Sequence, residues 1–187
     1  MLDIGYSVHS FFMVPVVEGS DGVYEVGEEY DLERDFAGLR YKSFKGLSYY
    51  GEVKGVYSED WAEGDGVDVY VSSDDVRSGT ECELVLYFFD VSGVSDVSEG
   101  YSLAYGVYSS FVDFLSGRLV IYRDTVRNRR VLLYMEEGIE PSVDVIDGIP
   151  YLQCTFKFCN VYGRSFGLDD MTIANRLGLS SYPVYGA

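Results

Sequence analysis

Histidine is almost missing from this sequence: His9 is the only one. A nucleophile–histidine–acid arrangement has nothing else to build on, and no G-x-S-x-G elbow is present. His9 beside an apolar run reads as a residue without a catalytic role, and the chain is not expected to be an enzyme. Basic side chains are also scarce. Lys and Arg total 14 against 31 Asp and Glu, a formal charge of −17. A uniformly acidic surface repels phosphate, which excludes tight nucleic-acid binding. It leaves room for a protein past which nucleic acid must travel without sticking. Cysteines number three, Cys82, Cys154 and Cys159, with no C-x-x-C, H-x-x-x-H or glycine-rich phosphate loop in the sequence. No metal or cofactor is therefore expected. The cysteines read as small buried hydrophobes in a reduced protein, with Cys154 and Cys159 on opposite faces of any one strand. Prolines are only 4 against 21 glycines, so the turns must be largely glycine-based. No apolar run reaches the roughly 20 residues of a membrane helix. The N-terminus lacks a basic region and carries Asp3, so neither a signal peptide nor a membrane is expected.

Aromatics are plentiful, with 18 Tyr and 11 Phe, which suits strands and subunit interfaces. Short alternating or apolar runs dominate. "FFMVPVV" (11–17) reads as a strand broken by Pro15, hence an edge strand or an irregular one. "CELVLYFFD" (82–90) sets Cys82, Leu84, Leu86 and Phe88 on one face and Val85, Tyr87 and Phe89 on the other, the mark of a central strand. "RLVIYRD" (118–124) and "RVLLYMEE" (130–137) predict a hairpin, and "PYLQCTFKFCNVYG" (150–163) a further long strand. One segment departs from this pattern. Across 98–116, Leu103, Val107, Phe111, Phe114 and Leu115 recur at helical spacing, with Ser98 or Ser102 as candidate caps and Gly117 at the C′ position. The expected fold is mainly β: a β-sandwich of the tail-tube kind with one packed helix and extended loops or arms. Residues 1–163 form the sandwich domain, with a long loop or extended hairpin at 18–50. Residues 164–187 form a C-terminal arm or tail, with a short helix in "DDMTIANRLG".

Two local features stand out. "VYSEDWAEGDGVDVYVSS" (57–74) gathers Glu59, Asp60, Glu63, Asp65 and Asp68 around Trp61, the only tryptophan. The spacing does not match the common calcium loop, and a glycosidase pair usually comes from separate strands. It reads as a solvated turn through Gly64-Asp65-Gly66, with Trp61 as its apolar anchor. The second feature is "RDTVRNRR" (123–130). Arg123, Arg127, Arg129 and Arg130 against Asp124 make a local +3. They are either a solvated turn or a docking knob for the carboxylates of a neighbouring copy.

These residues, taken in order, carry a resemblance. Trp61, Glu63, Asp65 and Gly66, then Phe111 and Phe114 at the helix end, then Asp124 and Arg127 in the hairpin, resemble the pattern of the distal-tail and tail-tube proteins of long-tailed bacteriophages. The resemblance covers about residues 50–137. It implies a structural virion protein, made in the host cytoplasm and built into the tail. Its partners would be copies of itself in a hexameric ring and other tail proteins, with DNA passing through the channel as cargo. The competing reading is a β-sandwich that binds carbohydrate or a receptor through its tyrosines.

Overall fold

The computed structural model describes residues 11–20, 23–52, 54, 57–60, 67–70, 77–90, 96–138 and 140–179. The chain begins with β1 (Phe11–Glu18), β2 (Tyr24–Val26) and β3 (Tyr30–Asp31), then a single helical turn α1 (Leu32–Asp35) and β4 (Leu39–Lys45). β5 (Tyr57–Asp60) and β6 (Val67–Tyr70) follow, then β7 (Thr80–Phe89) and the long helix α2 (Val97–Leu115). The second half holds β8 (Leu119–Asp124), β9 (Arg129–Gly138), β10 (Ser142–Ile146), β11 (Ile149–Asn160) and α3 (Thr172–Leu177). The fold is mainly β, as expected. Nine strands join one antiparallel sheet of order β2-β1-β8-β9-β11-β7-β4, with β3 beside β1 and β10 beside β11. β5 and β6 pair separately.

The sheet produces its two layers by curling. Phe11 of β1 stacks on Tyr41 of β4 at 3.7 Å, and Phe44 of β4 stacks on Tyr122 of β8 at 4.6 Å. Strands from opposite ends of the order thus face each other across the interior. The alternation of β7 explains why: Cys82, Leu84, Leu86 and Phe88 are all at most 1% exposed, while Glu83, Val85, Tyr87 and Phe89 are half-buried. β7 is paired on both sides, by β11 and β4, as its two-faced apolar pattern requires.

Pro15 does not place β1 at an edge. β1 pairs with β8 on one side and with β2 and β3 on the other. The Pro15 carbonyl accepts from the Gly27 N–H at 2.9 Å. In a strand a residue's nitrogen and carbonyl point the same way, so the missing Pro15 donor falls on that side, between the short pairings to β3 and β2. The β8 ladder loses nothing.

α2 lies over β11 and β7. Its N-cap is Asp96, whose carboxylate accepts from the Ser98 and Glu99 N–H groups, rather than either serine. Gly117, at φ +66, ends it as predicted. The buried stripe is Gly100, Ala104, Phe111, Phe114 and Leu115. Leu103 is instead 41% exposed. Small residues took its place because the helix approaches the sheet closely: a Cβ on Gly100 would sit 2.5 Å from Pro150 Cγ. Phe111 is fully buried among the rings of Phe36, Phe88, Phe114 and Phe156.

The sheet's other face has its own small core of Val14, Val16, Ile121, Leu132, Phe166 and Ile173. The residues from 164 onward that read as an arm contribute Phe166 and Ile173 to it, each at most 2% exposed. Within the span read as a loop at 18–50 lie β2, β3, α1 and β4.

Candidate subunit interface

The β8–β9 hairpin confirms the strand pair read from the sequence, with register Arg123↔Arg130 and Asp124↔Arg129. Its turn is closed by Asp124, only 1% exposed. The Asp124 carboxylate accepts the Arg127 N–H at 2.9 Å and lies 3.4 Å from the Arg127 guanidinium. The Asp–x–x–Arg spacing is thus a clasp within the turn, and Asn128 at φ +52 completes the reversal.

The four arginines part company. Arg123 pairs with Glu29 at 2.8 Å, both side chains 15% exposed, and its guanidinium lies 4.1 Å from the Phe12 ring centroid. Arg130 is buried. Its Nε donates to the Gly167 carbonyl at 3.0 Å and its Nη2 to the Leu168 carbonyl, while its backbone bridges Phe166. Arg127 and Arg129 remain at the surface, Arg129 donating to the Asn128 carbonyl. A basic cluster in sequence is therefore two structural fasteners and two surface cations. The period-2 geometry of strands is the reason: Arg123 and Arg130 fall on the second face of the sheet, where Glu29 and the 166–168 carbonyls await them.

Arg130 ties down the C-terminal segment. Asp170, in the same segment, has its carboxyl pKa lowered. Burial opposes this, but the Thr172 hydroxyl and amide, Arg164 and Arg130 outweigh it. A depressed folded-state pKa adds stability at neutral pH that is lost as pH falls through it. Arg130→Met is expected to lower unfolding free energy by about 2–3 kcal/mol, since two charge-assisted bonds to part-buried carbonyls disappear. Urea titration gives the magnitude, and hydrogen exchange should quicken in α3 before it does in β7.

At its other end β9 leads to an open rim. β8 pairs with β9 only as far as Tyr134. Beyond it, among the described residues, β9 and all of β10 have a strand partner on the β11 side alone. All five residues of β10 are exposed. They include Val143 at 56%, Val145 at 42% and Ile146 at 47%. Sequence reading missed this strand. The signal for it was Asp147-Gly148: both residues have positive φ, +51 and +81, and join β10 to β11 as a two-residue hairpin turn. The Tyr151 hydroxyl donates to the Asp144 carboxylate and the Tyr101 hydroxyl to the Asp144 carbonyl, each at 3.1 Å, so β10 is held in place.

Trp61 and the Glu63-Gly64-Asp65-Gly66 turn lie outside the described residues. The strands on either side, β5 and β6, pair antiparallel. Cys82 and Cys154 are buried thiols, and burial pushes them up to about 12 and about 11. Cys159 faces the other way and is half-buried. Among the described residues no group of three His, Cys, Asp or Glu side chains is placed to hold a metal ion, and no helix is long and apolar enough to cross a membrane.

No family model matches the chain, and no curated protein matches it. Among solved structures it is similar to the SPP1 Dit (gp 19.1) protein, described as a paradigm of the hub adsorption apparatus in phages infecting Gram-positive bacteria. The TM-score is 0.45 and the identity 17%, over 84% of this chain and 52% of that one. The chain spans about half the length of that structure. This is a distant likeness of chain path, and no property of that protein follows from it for this chain.

Proposed function

We propose that this chain is a structural virion protein, a ring-forming subunit of a bacteriophage tail, distal-tail or tube-like, with a channel for DNA. The observation that carries the reading is the β10 rim. An exposed strand with apolar Val143, Val145 and Ile146, and with one edge unpaired among the described residues, is a template for another chain's strand. Charge supports a head-to-tail arrangement. β9 starts at the surface cation Arg129 and ends at Glu136 and at Glu137, which Lys157 pairs, about 25 Å away along the strand. A subunit with opposite signs at the two ends of one strand is suited to successive copies, and head-to-tail contacts close into rings. The excess of acid then serves the channel, since like charge keeps DNA from adhering. No catalytic step is assigned to the chain.

Light scattering after size exclusion tests the reading. The parent is expected to form a closed oligomer that weakens with added salt, because exposed charges are screened beyond roughly 10 Å at 0.1 M. Val143→Lys with Val145→Lys, and separately Arg129→Ala, should shift the oligomer to monomer with melting unchanged, as all three side chains are exposed. A parent that stays monomeric at high concentration overturns the proposal.

A further inference from the structure

A groove of about 460 Å³ opens beside the C-terminal end of β4 and the start of β7, lined by Lys45, Gly46, Tyr49, Tyr50, Thr80, Glu81 and Glu83. It lies within the usual range of small-ligand sites, about 300–1,000 Å³. Tyr49 is 62% exposed and Tyr50 64%. Two adjacent large rings at the surface bury little apolar area for the fold, so packing does not account for them.

The loop that displays them is fixed at both ends. Gly46, at φ +89, lies so close to β7 that a Cβ there would meet the Glu81 carbonyl at 2.6 Å. Leu47 is 2% exposed and anchors the loop in the main core, and the Tyr49 N–H closes a turn on the Gly46 carbonyl at 3.0 Å. At the far end the Gly51 N–H donates to the Gly163 carbonyl at 2.7 Å, and a Cβ on Gly51 would fall 1.9 Å from the Ser78 carbonyl oxygen. Arg77 rests its guanidinium 5.2 Å from the Tyr50 ring centroid. The tyrosines are thus presented on a preorganised support, which reduces the ordering a ligand must impose.

The rest of the wall is hydrogen-bonding and mixed in sign. The Glu83 carboxylate lies 3.4 Å from the Lys45 ammonium, and Glu81 is exposed beside them. Thr80 adds a buried hydroxyl that has no partner among the described residues. Aromatic rings beside carboxylate acceptors and an ammonium donor suit a ligand with apolar C–H faces and many hydroxyls. The carboxylates disfavour phosphate and other anions in a chain of −17. We propose that this groove binds a neutral oligosaccharide, one sugar ring stacked on Tyr49 or Tyr50 and its hydroxyls bonded to Glu81, Glu83 and Lys45. The site stands apart from the β10 rim, so it holds whether or not the chain forms a ring.

The experiment titrates the full-length chain with soluble oligomers of glucose, galactose, mannose and N-acetylglucosamine, followed by ligand-observed NMR and calorimetry. At least one series is expected to bind. Tyr49→Ala with Tyr50→Ala should weaken it more than tenfold, and Glu81→Gln with Glu83→Gln likewise, with melting temperature and oligomer mass unchanged. Oligolysine, which would favour the carboxylates without needing the rings, serves as the competing probe. Three results would each overturn the proposal: no binding by any series up to about 10 mM, binding that survives the double tyrosine variant, or oligolysine bound in place of every sugar.

Discussion

Phe111→Asp is expected to leave the chain unable to fold. The side chain is fully buried and ringed by four phenylalanines from α2, β7, β11 and the residue that follows α1. None of those ring contacts offers a partner to a carboxylate. Transferring an ionised carboxylate there is opposed by far more than the roughly 5–15 kcal/mol of a typical domain's stability, and even the neutral acid loses its water without replacement. Expression should give insoluble material, or a soluble form without near-ultraviolet circular dichroism and without a cooperative transition. Phe111→Ala supplies the graded comparison. It removes volume without adding charge and should fold, weaker by about 3–5 kcal/mol. A Phe111→Asp protein that melts cooperatively would mean that α2 does not pack on the sheet through this residue.

Gly51→Ala is expected to be strongly destabilising, although it adds a single methyl. Ser78 passes between two glycines: a Cβ on Gly51 or on Gly163 would fall 1.9 Å from its carbonyl oxygen. The nearest obstacle is backbone, and the three segments are joined by Gly51 N–H to Gly163 O and Ser78 N–H to Glu52 O. Side-chain rotation gives no relief. The destabilisation should reach on the order of 3 kcal/mol, the upper end of ordinary overpacking. Chemical denaturation should show a lower midpoint at unchanged slope. Gly106→Ala is the control. Nothing lies within 4 Å of a Cβ there, and the position is inside α2, so it should stabilise by up to about 1 kcal/mol. If both substitutions behave alike, the crossing at Ser78 is not as tight as drawn.

The contrast between those two glycines shows where the sequence is readable. Local periodicity is: β7, the β8–β9 hairpin and α2 follow from alternation, turn residues and the spacing of Val107, Phe111 and Leu115. What depends on a distant partner is not. Leu103 has the right spacing for the buried stripe and loses its place to Gly100 and Ala104, because Pro150, nearly fifty residues on, presses against the helix. Pro15 argues for an edge until the two short strands that bracket it are known. Gly51 and Gly163 look like any turn glycines, since the carbonyl that demands them belongs to Ser78. In the candidate interface, "RDTVRNRR" shows its charge but not its division. Arg123 and Arg130 are taken up by Glu29 and by carbonyls at 167 and 168, Arg127 closes its own turn on Asp124, and Arg129 sits at the surface. The β10 rim was within reach of local reasoning, through Asp147-Gly148. Trp61 gave the clearest sequence signal and lies outside the described residues.

The strand order also sets a timetable. Phe11 is paired with Asp124 across β1 and β8, so a chain growing from the ribosome carries one edge of β1 unmatched until β8 is made, with only the short β2 and β3 on the other. At roughly 5–20 residues per second that delay is on the order of ten seconds. β4 finds β7 much sooner, and α2 follows directly. β11 is translated last among the strands, yet it pairs with β7, β9 and β10, and the sheet has no continuous middle before it arrives. During that interval "FFMVPVV" is the segment most open to pairing with the wrong chain. Pro15, which the finished sheet merely accommodates, interrupts any long ladder that a stray strand would build on it.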